Sequence, residues 1–317
     1  MTPGYRWIGV DGGGTRSRAL VGDADGRELG AADGGPGLID PADPGRAIRA
    51  VTDVARAAAE AAQAALPVRG MWAGLAGAGQ EAARAAVEAG LRDAGLAEQV
   101  AVGTDVEAAH ADAFGDGSGM LLVVGTGSVA RAVGPGGGVV TVGGWGQLLG
   151  DEGSGYRIGL DGLRGAVRAS DGREPQTMLT RVLLQATGEA EPRDLVGWAA
   201  RATKGEIAAL SVLVANAARE GDTVAARVIH RALGAIREHL VAVLEGVAAQ
   251  QPSPGWEGRP AVAMVGGLIG VKGVLMEAVK GIALDLGCEV LPEPVVPERG
   301  ALRNAISTTR CGGRSNS

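Results

Sequence analysis

The chain has little of the residue types that mark several common classes of protein. Its 317 residues include two cysteines and three histidines, with no CxxC pair and no His/Cys cluster, which argues against a disulfide framework or a histidine-rich metal site. The net charge is −6 and no dense run of lysine and arginine occurs, so a general nucleic-acid binder is disfavoured. Aromatic residues make up only 3% of the chain while glycine and alanine are abundant, and we therefore expect helices that pack closely on small side chains.

Long apolar runs are also missing. The first residues, MTPGYRW, do not combine a basic stretch with a following apolar segment, so no signal peptide is predicted. No run of about 18 apolar residues suggests a membrane-spanning helix. These absences favour a cytoplasmic protein that binds neither membrane nor nucleic acid, with Cys288 and Cys311 as reduced thiols.

The patterns that are present predict an α/β protein. Three strands are predicted over residues 5–10, 16–22 and 27–32, and a helix follows with Asp43 as a candidate N-cap and Pro44 at its first position. Alternating strands and helices come next. This order is typical of a mixed sheet with helices packed on it.

The second half of the chain begins in the same way as the first. The stretch GMLLVVGTGSVARAVGPGGGVVTVGGWG reads as a strand, a polar glycine turn, a second strand, another turn and a third strand. We interpret this as an internal duplication of a glycine-turn hairpin. Helices are predicted to dominate from about 152 to 250, followed by a surface loop QQPSPGWEGRP, a strand AVAMVGG, a helix, a strand CEVLPEP and a closing helix over 298–309.

Each hairpin carries a turn that could bind phosphate. In DGGGT, from Asp11 to Thr15, and in GTGS at 125–128, backbone N–H groups can converge on an anion while glycine permits its close approach. The hydroxyls of Thr15 and Ser17 could add donors. Asp11 alone would repel phosphate, but it fits if a hydrated Mg²⁺ lies between them. An ordinary tight turn explains either motif taken alone.

Two common nucleotide-binding motifs are not supported. A P-loop is excluded because no GxxxxGK[ST] sequence occurs. A dinucleotide-binding fold is disfavoured because DGGGTRS continues into a strand rather than opening a helix.

Further polar positions follow predicted strands. Asp105 comes directly after a strand, where it could accept a proton from a substrate hydroxyl or could simply cap the next helix. Trp145, among glycines, could stack on the apolar face of a sugar or belong to the core. Asp151 lies at a predicted helix start and could accept hydrogen bonds from sugar hydroxyls. The glycines at 266–267 could lie against an adenine ring or allow close packing of a helix.

Taken together, DGGGTRS, GTD, GTGS, GGWG followed by GDEGS, and the late VGG resemble the N-acetylglucosamine and glucosamine kinases. These enzymes belong to the BadF/BadG/BcrA/BcrD-type ATPase group of the actin, hexokinase and Hsp70 superfamily. The resemblance covers about residues 5 to 306, and GGWG with GDEGS is its most specific part.

The resemblance implies an α/β, two-domain actin-like ATPase (ribonuclease H-like) fold, in which duplicated mixed-sheet domains enclose a central cleft. The expected domains are an N-terminal one over residues 1–115 and a C-terminal one with a helical part over 116–295. Residues 296–317 would form a helix that packs back toward the N-terminal domain, and a tail. Relatives are often dimers, so a homodimer is one of the assemblies that the resemblance allows.

The resemblance also implies roles for single residues. Asp105 matches the catalytic base, and Asp11 would hold Mg²⁺ through water. The positions that match the ATP- or phosphate-binding motifs are Gly12, Gly13, Gly14, Thr15, Arg16, Gly125, Thr126, Gly127, Gly266 and Gly267. The positions that match the sugar site are Ser128, Gly144, Trp145 and Asp151. The expected activity is phosphorylation of the 6-hydroxyl of N-acetylglucosamine or glucosamine by ATP.

One departure from the family pattern leaves the substrate open. The kinases usually have an asparagine after the third strand that contacts the sugar, whereas this chain has GGPGLIDP there, with Leu38 or a neighbour at that place and Asp40 as a substitute. The alternatives are a kinase of an anhydro-sugar or a plain hexose, or a nucleotide-gated ATPase or regulatory protein without sugar transfer. The family's activases are set aside because Cys288 and Cys311 do not form their cluster-binding pattern.

Overall fold

The structure is a computed structural model that describes residues 4–250, 256 and 258–312, with side chains described to residue 310. The chain divides into two compact units. Unit 1 extends to Gly117 and resumes at Val295, and unit 2 spans Ser118–Pro294. The predicted loop QQPSPGWEGRP lies mostly outside the described residues.

Each unit contains one five-stranded sheet and its own helices. The strands are β1 Trp7–Gly12, β2 Ser17–Gly22, β3 Glu28–Gly34, β4 Gly70–Leu75, β5 Val100–Gly103, β6 Gly119–Val124, β7 Ser128–Val133, β8 Val139–Gly143, β9 Ala261–Val265 and β10 Glu289–Val290. The helices are α1 Pro44–Ala61, α2 Glu81–Asp93, α3 Asp105–Phe114, α4 Gly146–Leu149, α5 Gly155–Ser170, α6 Met178–Thr187, α7 Asp194–Arg201, α8 Lys204–Ala209, α9 Ser211–Arg219, α10 Thr223–Ala248, α11 Met276–Asp285 and α12 Pro297–Gly312.

The two sheets have the same topology. The strand order is β3-β2-β1-β4-β5 in unit 1 and β10-β9-β6-β7-β8 in unit 2. In each, the first three strands form an antiparallel meander, the fourth pairs in parallel with the first, and the fifth pairs in parallel with the fourth. The predicted duplication is therefore confirmed, together with the mixed α/β character of the fold.

Unit 1 has helices on both faces of its sheet. Along β1 the side chains alternate, so that Ile8 and Val10 enter the core under α1 and α2. Trp7 points to the opposite face, where it packs with Leu302 of α12 in a cluster that also contains Ala108 of α3. Asp11 continues the Trp7 register and therefore lies on the α3 and α12 face, at the carboxyl end of β1.

Unit 2 places most of its helices between β8 and β9. This insertion, α5 to α10, agrees with the predicted helical region. Its largest core cluster combines sheet residues such as Leu122 with Ile158 of α5, Leu183 of α6 and Ile236 of α10. The buried Cys288 is a free thiol in this core.

Several local predictions need correction. Pro44 begins α1 as predicted, but the Asp43 side chain makes no capping hydrogen bond. The predicted strand CEVLPEP shortens to Glu289–Val290, because the two prolines that follow lack the N–H that a ladder requires. The four-residue helix α4 was not predicted. None of the helices in the described part of the chain combines the length and apolar character that a bilayer crossing needs.

Candidate functional site

The first glycine turn is an exposed hairpin tip at the carboxyl end of β1. Gly13 N donates a hydrogen bond to Arg16 O at 2.9 Å, which closes the turn. The three residues from Gly14 to Arg16 are exposed. A Cβ built on Gly14 would meet no atom of the described residues within 4 Å, so the backbone of the tip is accessible to a ligand as bulky as phosphate.

The base of the same turn is packed rather than open. Gly12 is buried, and a Cβ there would lie 2.5 Å from Leu75 Cδ2, so close packing accounts for this glycine. Ser17 is fully buried, and its Oγ has no hydrogen-bond partner among the residues that the structure describes. The expectation that the Ser17 hydroxyl donates to phosphate is wrong, because strand alternation turns Ser17 to the interior with Ala19.

Asp105 is the first residue of α3 and does not cap it. Thr104 is the N-cap, and its Oγ1 accepts a hydrogen bond from Glu107 N at 3.1 Å, while Glu107 Oε2 accepts one from Thr104 N at 2.9 Å. This capping box satisfies the helix start without Asp105. The N-cap interpretation of Asp105 is therefore wrong. Its carboxylate accepts a hydrogen bond from Val106 N at 3.0 Å and is left for another role.

Glycine at position 74 allows α3 to approach the sheet near Asp11. Gly74 of β4 pairs with Asp11 on one side and with Gly103 on the other. A Cβ on Gly74 would lie 2.7 Å from Ala108 Cβ and 3.2 Å from Thr104 O, so a larger residue would push α3 away. The start of α3 thereby brings Asp105 toward the carboxyl end of β1.

The electrostatics of unit 1 reflect this proximity. Burial, the charge of Asp105 and the charge of Glu298 raise the pKa of Asp11 to about 7, against a smaller lowering by Arg16. Burial also raises the pKa of Asp105 above its ordinary value, although backbone N–H groups that donate to it act in the opposite direction. The protein therefore holds two half-buried carboxylates whose negative charge it does not fully offset.

Two members of this cluster were not predicted. Glu298, at the start of α12, is 8% exposed and its Oε1 lies 3.2 Å from Arg18 Nε. Arg18 is the direct cross-strand neighbour of Asp11. Glu298 comes from the far end of the chain, and a glutamate in the first helical turn is common enough that the sequence offers no specific signal for it.

The residues of unit 1 fit a hydrated divalent cation. A carboxylate whose pKa is about 7 sits in an excess of negative charge, which a cation would relieve. Within the described residues, no three His, Cys, Asp or Glu side chains converge as direct ligands. A metal here would therefore keep its water shell, as Mg²⁺ commonly does.

The second glycine turn, in unit 2, is anchored to α5. Gly155 N at the start of α5 donates to Gly125 O at 2.8 Å, and Gly125 N donates to Gly127 O at 2.9 Å. Thr126 is exposed at the tip. Ser128 is 4% exposed, and its hydroxyl donates to Glu152 O at 2.7 Å.

Asp151 lies directly beside this turn. Its Oδ1 accepts a hydrogen bond from Ser128 N at 3.2 Å, and its Oδ2 forms an ion pair with Lys204 Nζ at 2.6 Å without the angle of a hydrogen bond. The residue is 3% exposed and has a φ of 59°, in the left-handed region. Aspartate is one of the few residues other than glycine that adopt this region, and its contacts with Ser128 and Lys204 hold it there. Lys204 was not predicted as part of the site.

The GGWG segment also reaches the turn. Gly144 N donates to Ser128 O at 3.0 Å, and Gly143 and Gly144 have φ values of 80° and 75°, which favour glycine. Trp145 follows and is 75% exposed. The alternative that Trp145 belongs to the core is therefore wrong, and its ring is available for stacking on a ligand.

The VGG segment lies on the other side of the turn. A Cβ on Gly125 would lie 3.7 Å from Gly266 Cα and 3.8 Å from Gly267 N. Gly266 has a φ of 113°, and a Cβ there would overlap Val124 O. Only glycine is compatible with this position. Gly267 is exposed, and no atom of the described part of the chain lies within 4 Å of a Cβ built there, so its backbone can contact a flat ligand.

The predicted site residues thus fall into two groups. Unit 1 brings together Asp11, Asp105 and the turn from Gly12 to Arg16, and unit 2 brings together the GTGS turn, Gly144, Asp151 and the VGG segment. Asp40 is exposed, and its Oδ1 accepts a hydrogen bond from Ala42 N at 2.9 Å. Leu38 is 44% exposed, and its N donates to Gly13 O at 3.1 Å, so an apolar side chain stands beside the first turn.

Comparison with known proteins agrees with this geometry. The model of the BadF/BadG/BcrA/BcrD ATPase family matches residues 8–298. The N-acetylmuramic acid/N-acetylglucosamine kinase of Clostridium acetobutylicum is 28% identical over 246 residues, which are 77% of this chain and 80% of that protein. A solved structure from Chromobacterium violaceum, provisionally named N-acetylglucosamine kinase, is 28% identical with a TM-score of 0.75 and covers 94% of this chain and 98% of its own.

A more distant solved structure carries information on the fold alone. The ROK hexokinase of Thermus thermophilus is 17% identical, with a TM-score of 0.56 over 97% of this chain and 100% of its own. The expectation of an actin-like, hexokinase-type α/β fold is confirmed.

Proposed function

The chain belongs to the BadF/BadG/BcrA/BcrD ATPase family, and on this basis we propose that it is an ATP-dependent kinase of an amino sugar. The substrate proposed first is N-acetylglucosamine or glucosamine, and the acceptor is its 6-hydroxyl. The observation that carries the proposal is the position of Asp105, which begins α3 beside Asp11 but is not used to cap the helix.

In unit 1, Asp105 is proposed as the general base. The sugar oxygen attacks the γ-phosphorus of ATP, the bond from that phosphorus to the β,γ-bridging oxygen breaks, and ADP leaves. The hydroxyl proton passes to the Asp105 carboxylate. A raised pKa suits this role, because a base whose pKa is nearer to the working pH holds the transferred proton more effectively. The exposed backbone from Gly13 to Arg16 is proposed to contact phosphate.

In unit 2, the turn from Gly125 to Gly127 is proposed to bind phosphate, and Gly266 and Gly267 to contact adenosine. Ser128, Gly144, Trp145 and Asp151 are proposed to bind the sugar. Their contacts with one another support a common role, since Ser128 hydrogen-bonds both Gly144 and Asp151. The exposed ring of Trp145 can stack on sugar C–H groups.

Asp11 is proposed to hold Mg²⁺ through water. When bound, Mg²⁺ offsets the charge of the ATP phosphates. The contribution of this chain is the carboxylate, whose raised pKa indicates that it would gain from a nearby cation. The proposal includes no direct protein ligand, in agreement with the single carboxylate at the tip of β1.

The identity of the sugar is the finer part of the proposal. Leu38 offers an exposed apolar group where the family pattern has a sugar-contacting asparagine. This favours keeping another amino sugar, an anhydro-sugar or a plain hexose as alternatives. The relative from Clostridium acetobutylicum is named for two amino sugars, which supports a panel rather than a single substrate.

The test is an assay of ADP release with purified protein, ATP and Mg²⁺ over hexoses, amino sugars and anhydro-sugars. We expect sugar-dependent release with at least one amino sugar. Asp105→Asn should lower kcat by about a hundredfold or more, while the affinity for ATP stays close to wild type. The thermal unfolding midpoint should not fall, because the variant removes a carboxylate whose pKa burial raises. Wild-type turnover in this variant would refute the base assignment. Release that no sugar affects would favour a nucleotide-gated ATPase.

A further inference from the structure

A lysine approaches the GTGS turn from the helical part of unit 2. Lys204 is the first residue of α8, and its Nζ lies 2.6 Å from Asp151 Oδ2. A Cβ built on Gly127 would lie 3.5 Å from the same Nζ and 2.6 Å from Asp151 Oδ1. The ammonium and the carboxylate therefore both stand against the backbone of the turn.

The two members of this ion pair differ in accessibility. The Asp151 side chain is 4% exposed, whereas the Lys204 side chain is 35% exposed. The ammonium is therefore more accessible to a ligand at the turn than the carboxylate is. Asp151 uses one oxygen for Ser128 N and the other for Lys204, so it orients both the turn and the lysine.

The backbone of Lys204 is itself fixed in place. Thr203 Oγ1 accepts a hydrogen bond from Glu206 N at 3.2 Å, and Glu206 Oε2 accepts one from Thr203 N at 2.7 Å. The Glu206 carboxylate is engaged in this capping box, so that it supports the chain on which Lys204 stands. The lysine is thus positioned before any ligand arrives, which is what a binding residue requires.

We propose that Lys204 binds a phosphate oxygen of the nucleotide, with Asp151 as the residue that positions it. This rests on the proposed function in that the GTGS turn is taken to bind phosphate. An ammonium has three N–H donors and is a compact charge, which suits phosphate oxygens. A lysine oriented by a carboxylate serves the same purpose in other phosphotransferases.

The pairing also explains why a carboxylate stands beside a phosphate-binding turn. Asp151 alone would repel phosphate, as Asp11 would in unit 1. Lys204 offsets the charge of Asp151 and presents its own donors toward the turn. The alternative is that the ammonium binds the acceptor sugar. In that case loss of the lysine would weaken binding of the sugar and not of ATP.

The experiment compares the binding of adenosine, AMP, ADP and ATP, each with Mg²⁺, by calorimetry. Lys204→Met should weaken ATP or ADP by roughly ten- to a hundredfold and leave adenosine within about twofold of wild type. Lys204→Arg should retain part of the ATP affinity because it keeps the charge. The matched control is Lys280→Met, an exposed lysine on α11, which should match wild type throughout.

Several results would overturn the proposal. They are an unchanged affinity for ATP in Lys204→Met, an equal loss for adenosine, or a loss confined to the sugar. If Lys204→Met does not fold because Asp151 is left unpaired, the double variant Asp151→Asn/Lys204→Met removes both charges. For that variant the comparison of ATP with adenosine decides, because Asp151 is also proposed to bind the sugar. A wild-type protein that binds ATP but phosphorylates no sugar would refute the proposed kinase and leave the Lys204 assignment standing. If the wild type phosphorylates a sugar and Lys204→Met binds ATP as tightly as wild type, the Lys204 assignment is refuted and the proposed kinase stands.

Discussion

Replacement of Asp11 by asparagine should stabilise the ligand-free protein, by an amount that grows as the pH rises from acid to neutral. The cause is the pKa of Asp11, which burial, Asp105 and Glu298 raise from an ordinary 3.8 to about 7. A raised carboxyl pKa means that the folded state holds the proton more tightly than the unfolded state. The ionised form therefore opposes folding, and asparagine removes that ionisation while keeping a similar shape.

The magnitude follows from the difference between the two pKa values. At about 1.4 kcal/mol per pH unit, the step from 3.8 to about 7 corresponds to about 4 kcal/mol as an upper bound. Well below pH 3.8 the carboxyl is protonated in both states, so wild type and Asp11→Asn should have similar free energies of unfolding. The gap should grow between pH 4 and pH 7 and stay constant above pH 7.5, with the variant more stable.

The assay is urea unfolding of wild type and Asp11→Asn at a series of pH values, without Mg²⁺ or nucleotide. Subtracting the two curves at each pH removes the contribution of titrating groups that do not interact with Asp11, so that the difference reports Asp11 and its charge coupling to Asp105 and Glu298. Asp53→Asn is the control, because Asp53 is an exposed aspartate in α1. A gap that is the same at pH 5 and pH 8, or a variant less stable than wild type at pH 8, would refute the reasoning.

Two further predictions concern unit 2. Trp145→Ala should raise KM for the sugar about tenfold or more, because the exposed ring no longer stacks on the substrate. The unfolding midpoint should not change. A lower midpoint with an unchanged KM would show that Trp145 has a packing role instead. Gly266→Ala should destabilise the protein by roughly 2 kcal/mol or more, since a Cβ would overlap Val124 O at a φ of 113°, and wild-type stability in urea unfolding would contradict the requirement for glycine at this turn.

Much of the fold could be predicted because local patterns and tertiary structure agree. The hairpins around DGGGT and GTGS repeat the same order of strands and turns, and the two sheets have the same topology. The apolar run before Asp11 also predicts a strand there, and in the structure Trp7 to Val10 of β1 are buried. The prediction for Ser17 was wrong because its local sequence and its tertiary position differ. Ser17 follows the DGGGT turn, which suggests a phosphate contact, but its place in β2 turns the side chain into the interior.

The site was predictable only in part, for a related reason. Asp11 and Asp105 each follow a strand, and the carboxyl ends of neighbouring parallel strands meet at one edge of a sheet. Glu298 and Lys204 follow no such rule. Each begins a helix far along the chain, and only the packing of α12 on β1, or of α8 on α5, brings it to a glycine turn. No local spacing marks either residue.

The most direct test of the central claim is phosphorus NMR of a reaction of the protein with ATP, Mg²⁺ and N-acetylglucosamine or glucosamine. The account predicts that the γ-phosphate signal of ATP is replaced by one sugar phosphate ester signal, in equal amount to the ADP formed, and that carbon coupling assigns the ester to position 6. ATP that stays intact with every amino sugar, or that yields only inorganic phosphate, would contradict it.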